Sequence, residues 1–289
     1  MRFDGIQLAV SIMMKRHSVL AVLFVLACAA SLANAAAALP PGEADAKAVL
    51  EKSPRHGEWV DIAVPGAKTP LRSYIVYPER ADKAPVVVVI REIFGESDWI
   101  RSVTDQLAAD GFIAIAPDML SGHGKDGGGT DSLGGRDAVT KAIRGLKSDE
   151  VMADVNAVRD YGLKLSAASG KSATIGFCWG GGQSFAYATA QPALDAAVVY
   201  YGTPPAADAM EKIHAPVIGF YGGDDARVTS TVAPTEAAMK KAGKSYEPHV
   251  FAGAGHGFLR AQDGRNGANL KAAQQAWPLT IAFLREHTK

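Results

Sequence analysis

Three short glycine-rich segments each carry one of the side chains that nucleophilic acyl transfer needs. Cys178 lies in the segment G-F-C-W-G-G-G, Asp224 and Asp225 follow a pair of glycines, and His256 stands between two glycines. A thiol can attack a carbonyl carbon, an imidazole can move protons, and a carboxylate can orient the imidazole. Taken singly, each segment also fits an ordinary turn with a buried cysteine, a solvated aspartate or an exposed histidine. Their order along the chain, nucleophile then acid then base, predicts a catalytic triad.

The segment around Cys178 has the G-x-C-x-G pattern of a nucleophile elbow. It directly follows a strand-like run at 172–175 and opens a segment of helical character. Small residues flank the nucleophile of such a tight strand-to-helix turn because other backbone segments pass close to it. We expect the helix N-terminus to favour the thiolate of Cys178, and the backbone N–H of Trp179 to donate to an oxyanion.

A second oxyanion donor is expected from Arg91-Glu92-Ile93, which follows the apolar run at 86–90. In hydrolases with a nucleophile elbow, the loop after this strand supplies the donor, here the N–H of Ile93. A carboxylate beside a thiol can take up its proton, so Glu92 is a candidate acceptor. The alternative is a surface ion pair between Arg91 and Glu92, which would add little to stability.

These segments come directly after predicted strands. Apolar and β-branched runs predict strands at 58–64, 71–77, 85–90, 112–117, 172–177, 196–201, 216–221 and 245–251. Helices are predicted at 97–110, 149–165, 180–190, 234–241 and 270–286, and residues 36–55 are predicted to form a linker or a short helix. The alternation favours the α/β class, with a mostly parallel sheet and helices on both faces. Ligands bind such sheets at the carboxyl ends of the strands, where the candidate residues stand.

At these residues the chain resembles the dienelactone hydrolase family, also described as carboxymethylenebutenolidase-like. The matching motifs are E-I-F-G at 92–95, P-D at 117–118, G-F-C-W-G-G at 176–181, G-G-D-D at 222–225 and G-H-G-F at 255–258. The resemblance spans residues 59–284. It implies an α/β-hydrolase fold and an activity that opens ester or lactone bonds, without a metal or an organic cofactor.

The resemblance also implies a role for each matching residue. Cys178 would be the nucleophile, His256 the base, and Asp225, the fourth residue of G-G-x-D, the acid that orients the histidine. Glu92 would take up the thiol proton when substrate binds. Arg260, four residues after His256, would be one of two arginines that hold a substrate carboxylate.

The second arginine of that pair has no counterpart in this chain. The stretch after position 118 reads M-L-S-G-H-G-K and continues into a predicted loop, residues 121–135, which holds seven glycines. His123 or Lys125 would be a substitute, although neither offers a planar fork to a carboxylate. This departure keeps open a short-chain carboxylesterase that acts on neutral esters. A catalytically silent binding protein on the same fold is the alternative from another functional class.

The N-terminal residues differ from the rest of the chain. A short basic patch, M-K-R-H at 14–17, an apolar run at 19–30 and A-N-A at 33–35 form the layout of a secretory signal peptide, cleaved after Ala35. Lipidation at Cys28 and an uncleaved anchor are the alternatives, and all three predict export, to the periplasm or the medium. The predicted organisation is therefore a signal peptide at 1–35, a linker at 36–57 and one hydrolase domain at 58–289.

Composition limits the classes of binding partner that we expect. The 289 residues contain 30 lysines and arginines and 30 aspartates and glutamates, so no charge excess suggests nucleic acid or a membrane surface. We expect a small-molecule ester or lactone as the partner, and no metal, because no close ligand spacing suggests a zinc site. After cleavage Cys178 would be the only cysteine, which disfavours both a disulfide and a redox-active thiol protein. The sequence does not indicate an oligomeric state.

Overall fold

The computed structural model describes residues 38–289. Its strands are β1 (Gly57–Ile62), β2 (Leu71–Val76), β3 (Ala84–Ile90), β4 (Ile113–Pro117), β5 (Ala168–Phe177), β6 (Ala196–Tyr200), β7 (Val217–Gly222) and β8 (Tyr246–Phe251). Its helices are α1 (Ala46–Leu50), α2 (Asp98–Ala109), α3 (Arg136–Arg144), α4 (Ser148–Leu163), α5 (Trp179–Ala190), α6 (Ala226–Thr229), α7 (Val232–Lys241) and α8 (Ala268–His287). The predicted signal peptide, residues 1–35, lies outside the described residues. Within 38–289, no helix combines the length and the apolar character needed to cross a membrane.

The strands form one eight-stranded sheet in the order β1-β2-β4-β3-β5-β6-β7-β8. The pairs β1–β2 and β2–β4 are antiparallel, and every pair from β4 to β8 is parallel. The predicted α/β-hydrolase fold is therefore confirmed. Because β3, β5, β6, β7 and β8 run in one direction, the segments that follow them meet at one edge of the sheet.

Strand β3 shows how the sheet is covered on both faces. Its four valines, at positions 86–89, have no exposed surface. Val86 and Val88 belong to a core cluster that includes Val155 of α4, whereas Val87 and Val89 point the other way because side chains alternate along a strand. The buried residues of α2 and α8 lie outside that cluster and form the opposite layer. A run of β-branched residues therefore forms a fully buried strand, as predicted.

All predicted strands and helices are present, with ends shifted by a few residues. Two helices were not predicted: α3, directly after the glycine-rich loop, and the single turn α6 after Asp225. In α3 only Val139 and Ile143 are buried. Two apolar side chains four positions apart give too weak a periodic signal to identify a helix among glycines and charged residues.

Residues 40–50 pack against the rest of the domain. Trp99 donates its indole N–H to the carbonyl of Pro41 at 3.1 Å, and the side-chain amide of Gln262 donates to the carbonyl of Pro40 at 2.8 Å. Ala46 in α1 is fully buried. The segment predicted as a linker or short helix thus contains a short helix, and its first residues are fixed beside the loop after β8.

Candidate active site

Cys178 occupies a tight turn between β5 and α5. Its backbone lies in the left-handed region, with φ of 56° and ψ of −115°, and it caps the N-terminus of α5. A Cβ atom added to Gly180 would lie 2.2 Å from the carbonyl oxygen of Ile90, and one added to Gly176 would lie 1.9 Å from the carbonyl oxygen of Gly180. Both glycines are therefore needed for close backbone passage, which explains the G-x-C-x-G pattern. The strained conformation presents the thiol at the sheet edge.

The resting thiol of Cys178 is held in its protonated form. Its pKa is raised to about 11, first by burial and second by the negative charge of Glu92. Hydrogen bonds from the backbone amides of Trp179 and Ile93 act in the opposite direction. The helix N-terminus thus favours the thiolate through the Trp179 amide, as expected, but desolvation and the charge of Glu92 outweigh this effect. The same two amides are the ones predicted as oxyanion donors, and both face the sulfur.

His256 and Asp225 contact each other in the loops after β8 and β7. Nδ1 of His256 lies 2.6 Å from Oδ2 of Asp225, whose side chain is almost fully buried. The neighbouring Asp224 lies on the surface, 3.4 Å from a guanidinium nitrogen of Arg265. A carboxylate that accepts from Nδ1 fixes the histidine tautomer in which Nε2 is free to accept a proton. Of the two candidate aspartates, Asp225 is the one that contacts the histidine.

Glu92 is buried beside Arg260. Its Oε2 lies 2.6 Å from Nε of Arg260, but neither atom has an aligned hydrogen-bond partner, so the contact is an ion pair without a directed hydrogen bond. Burial raises the pKa of Glu92 to about 7, and the positive charge of Arg260 limits the rise. A carboxyl group with this pKa can exchange a proton near neutral pH, which is what a proton acceptor for the thiol requires.

The alternative of a surface pair between Arg91 and Glu92 is wrong. Arg91 is fully buried, and its Nη1 donates to Oδ1 of Asp118 at 2.6 Å and to the hydroxyl of Thr130 at 2.8 Å. The backbone N–H of Thr130 also donates to Asp118, at 2.7 Å. This network ties the glycine-rich loop to the residue before Glu92. It therefore fixes the backbone that carries both the carboxylate and the Ile93 amide.

Tyr201, an aromatic residue directly after a strand and a candidate for lining the pocket, belongs to the site. It has a left-handed backbone, with φ of 41°, and its ring centroid lies 5.1 Å from that of His256. The buried hydroxyl has no hydrogen-bond partner among the described residues. Burial, followed by the negative charge of Glu92, raises the pKa of Tyr201 well above its ordinary value. Tyr201 therefore packs as a neutral ring against the imidazole of His256.

Together these groups can bind a carbonyl oxygen and move protons around it. A thiol, two backbone amides, a buried carboxyl group and an oriented imidazole stand in the segments after β3, β5, β7 and β8, whose ends lie along one edge of the sheet. Within the part of the chain that the structure describes, no three histidine, cysteine or acidic side chains converge in a way that could hold a metal ion.

The model of the dienelactone hydrolase family matches residues 71–288, most of the chain. The chain belongs to the dienelactone hydrolase family. The predicted resemblance is confirmed, and the matched region contains every site residue described so far. Membership makes the protein a hydrolase of the dienelactone hydrolase type, on the fold that the family resemblance implied.

Curated relatives in distant organisms agree with this family. A protein of Salmonella typhimurium is 28% identical over 237 residues, which cover 78% of this chain and 86% of the relative. A protein of the archaeon Saccharolobus solfataricus is 29% identical over 255 residues, which cover 78% of this chain and 96% of the relative. Both carry the name "Putative carboxymethylenebutenolidase". The chain thus spans nearly the whole length of each relative.

Solved structures agree with the fold. A protein from Klebsiella pneumoniae, described as a "Putative Dienelactone Hydrolase", is similar with a TM-score of 0.70 and 28% identity, covering 80% of this chain and 99% of that one. An acylaminoacyl peptidase from Pyrococcus horikoshii has a TM-score of 0.62 at 14% identity, covering 81% of this chain and 42% of the peptidase. The second likeness concerns the fold alone.

Neither proposed substitute for the missing arginine is found beside Cys178, Asp225 and His256. His123 lines a separate cavity of about 460 Å³, between the turn at 64–69 and α4, and none of Cys178, Asp225 and His256 lines it. Lys125 is exposed in a short 3-10 turn.

Another arginine, which sequence reasoning missed, lies at the site. The guanidinium carbon of Arg136, at the start of α3, is 3.6 Å from the ring centroid of Phe94, and that of Arg260 is 5.0 Å from the same centroid. The positive charge of Arg136 also lowers the pKa of Glu92. No motif could have indicated Arg136, because α3 itself was not predicted.

Proposed function

We propose that this member of the dienelactone hydrolase family opens ester or lactone bonds with Cys178 as the nucleophile. The observation that carries the proposal is the left-handed turn at Cys178, together with the amides of Ile93 and Trp179, which lie close enough to the sulfur to lower the pKa of the thiol. When a sulfur attacks a carbonyl carbon, the oxyanion forms close to the sulfur, so amides beside the sulfur are well placed to stabilise it. Family membership supports the hydrolytic reaction class.

Acylation begins when the thiol of Cys178 gives its proton to Glu92 and the sulfur attacks the carbonyl carbon. Because the pKa of the thiol, about 11, lies above that of Glu92, about 7, this transfer is unfavourable in the resting protein. We therefore expect it to occur only with substrate bound, when Ile93 and Trp179 stabilise the oxyanion. Collapse of the tetrahedral intermediate breaks the C–O bond, the alkoxide leaves with the proton that the thiol gave up, and a thioester remains.

Deacylation uses the imidazole. His256, oriented by Asp225, removes a proton from water, and the resulting hydroxide attacks the thioester carbonyl. The C–S bond then breaks, the sulfur recovers a proton from His256, and the carboxylic acid product ionises in solvent. The 2.6 Å contact between His256 and Asp225 supports this role because the histidine becomes positively charged next to the carboxylate.

A second candidate activity is that of a short-chain carboxylesterase for neutral esters. The observation in its favour is that Arg260, the one matching anchor for a substrate carboxylate, is paired with Glu92. Dienelactones carry a carboxylate, whereas simple esters do not, so the two candidates differ in the substrate charge that they predict.

Hydrolysis of a dienelactone, a neutral lactone and p-nitrophenyl acetate by the parent protein and by Cys178→Ala tests the proposal. We expect turnover of at least one compound by the parent and a loss of kcat/KM of about 10⁴-fold or more in the variant, with an unchanged unfolding temperature. Mass spectrometry of the quenched parent should find the acyl group on the peptide with Cys178. Full activity in Cys178→Ala would contradict the nucleophile assignment, and no turnover by the parent would favour a binding protein.

We also propose that the protein is exported with residues 1–35 as a signal peptide. The order of basic, apolar and small residues at 14–35 supports this proposal. In an exported form cleaved after Ala35, all residues of the site would be retained.

A further inference from the structure

Arg260 is shared between two carboxylates, of which only Glu92 belongs to a family motif. Nη1 of Arg260 donates to the carboxylate of Glu43, and the backbone N–H of Glu43 donates to the carbonyl of Arg260 at 2.9 Å. The two residues are therefore joined through both side chain and backbone. Glu43 precedes residue 71, where the match to the family begins, so this contact comes from outside the matched region.

Further contacts hold Glu43 in this position. On one side, the carbonyls of Pro40 and Pro41 accept hydrogen bonds from Gln262 and Trp99. On the other side, Ala46 is fully buried in α1. A carboxylate that is already fixed loses little entropy when it pairs with the guanidinium, so it competes effectively with a carboxylate that arrives from solvent.

The local charge balance depends on Glu43. Arg260 and Arg136 both pack on Phe94, the residue after Ile93 in the loop that faces the Cys178 sulfur. Without Glu43, the two guanidinium groups would face a single carboxylate, that of Glu92. Glu43 adds a second negative charge beside these guanidinium groups and thereby reduces the positive charge that would attract an anionic substrate.

We propose that Glu43 is a specificity-determining residue, which occupies the position on Arg260 that a substrate carboxylate would take and biases the site toward uncharged esters. This inference rests on the proposed ester hydrolysis at Cys178, because it concerns which ester that site accepts. An anionic substrate competes with the carboxylate of Glu43 for the guanidinium of Arg260, so its apparent affinity is lowered by that competition.

The test compares the parent with Glu43→Gln and uses Asp45→Asn as the matched control. Asp45 is exposed two residues away, and its substitution removes the same charge without an ion pair being lost within residues 38–289. The substrates are the neutral p-nitrophenyl butyrate and the anionic mono-p-nitrophenyl ester of glutaric acid. We expect Glu43→Gln to raise the ratio of kcat/KM for the anionic over the neutral ester by about two- to fivefold, mainly through KM, as fits a partly exposed ion pair.

The ratio should stay at the parent value in Asp45→Asn, and added salt should shrink the effect in Glu43→Gln. An unchanged ratio in Glu43→Gln, or an equal rise in the control, would overturn the inference. Calorimetric titration with glutarate separates this failure from a failure of the proposed function, because it does not need turnover. If the parent hydrolyses neither ester but Glu43→Gln binds glutarate two- to fivefold more tightly than the parent, the competition at Arg260 stands and the hydrolysis proposal fails.

Discussion

Replacing Glu92 by glutamine should remove a pH-dependent loss of stability. The pKa of Glu92 is about 7 in the folded protein and 4.5 for an ordinary glutamate. Between these two pH values the folded protein binds the proton more tightly than the unfolded chain, so the free energy of unfolding falls as the pH rises. The difference of about 2.5 between the two pKa values corresponds to about 3 kcal/mol of stabilisation. This stabilisation is present below pH 4.5 and is fully lost above pH 7.

Glu92→Gln keeps the shape of the side chain but does not titrate. Relative to the parent, the variant should therefore gain about 3 kcal/mol between pH 4.5 and pH 7, and no more at higher pH. The ion pair with Arg260 forms only when Glu92 is ionised, so its contribution is already contained in the pKa of about 7. The remaining difference, between an amide and a neutral carboxyl group, does not depend on pH and shifts the variant by a constant amount. Other buried acids with raised pKa values, such as Glu96 and Asp154, are present in both proteins and cancel in the difference.

The assay is urea unfolding of both proteins at pH 5, 6, 7 and 8, plotted as the difference in free energy against pH. In thermal unfolding the same change corresponds to roughly 6–12 °C for a domain of this size. Hydrolysis measured in parallel should fall in the variant, since Glu92 is the proposed proton acceptor. Parallel stability curves for the two proteins would refute the argument that burial raises the pKa of Glu92.

Three further expectations follow from the site and the N-terminus. Asp225→Asn should lower kcat/KM by about 10³-fold or more because the imidazole loses its orienting carboxylate. The control Asp224→Asn should change kcat/KM less than about threefold. Equal effects of the two substitutions would argue against a role for the 2.6 Å contact between His256 and Asp225. Gly180→Ala should destabilise the fold by about 3 kcal/mol because the new Cβ lies 2.2 Å from a strand carbonyl, while Gly182→Ala, with its nearest atom at 3.3 Å, should be close to neutral in urea unfolding. The mass of protein recovered from the exported fraction should correspond to a chain that starts at Ala36, and a chain with intact residues 1–35 would contradict cleavage.

Local patterns in the sequence were sufficient for the fold class and for the motif residues of the site. Buried strands and amphipathic helices carry different hydrophobic periods, so the alternation of elements could be predicted without tertiary contacts. Glycines around Cys178 indicated the strand-to-helix turn because only small residues permit the close passage of backbones there. The helix α3 was missed because its two buried side chains follow a glycine-rich loop.

Quantities that depend on burial were decided by the tertiary structure. The helix N-terminus at Cys178 suggested a thiolate, but desolvation and Glu92 raise the pKa of the thiol to about 11. Likewise, the alternative interpretation paired Arg91 with its sequence neighbour Glu92. In the structure, Arg91 instead donates to Asp118, which directly follows the adjacent strand β4. The sequence does not show which polar groups lose their contact with water on folding. Desolvation is the largest influence on the pKa values of such buried groups.

The sequence by itself determined that a cysteine, a histidine and an aspartate follow strands of one parallel sheet, because both strand patterns and turn glycines are local signals. The resemblance to the family favoured Asp225 over Asp224, and the tertiary structure places it in contact with His256. Only the tertiary structure decided that Glu43 reaches Arg260 from the far end of the chain. Those pairings join residues that are distant in sequence, and they depend on how helices and loops pack around the sheet. The interaction energies of these two pairs therefore depend on burial and on the distances between charges in the folded protein, which cannot be read from spacing along the sequence.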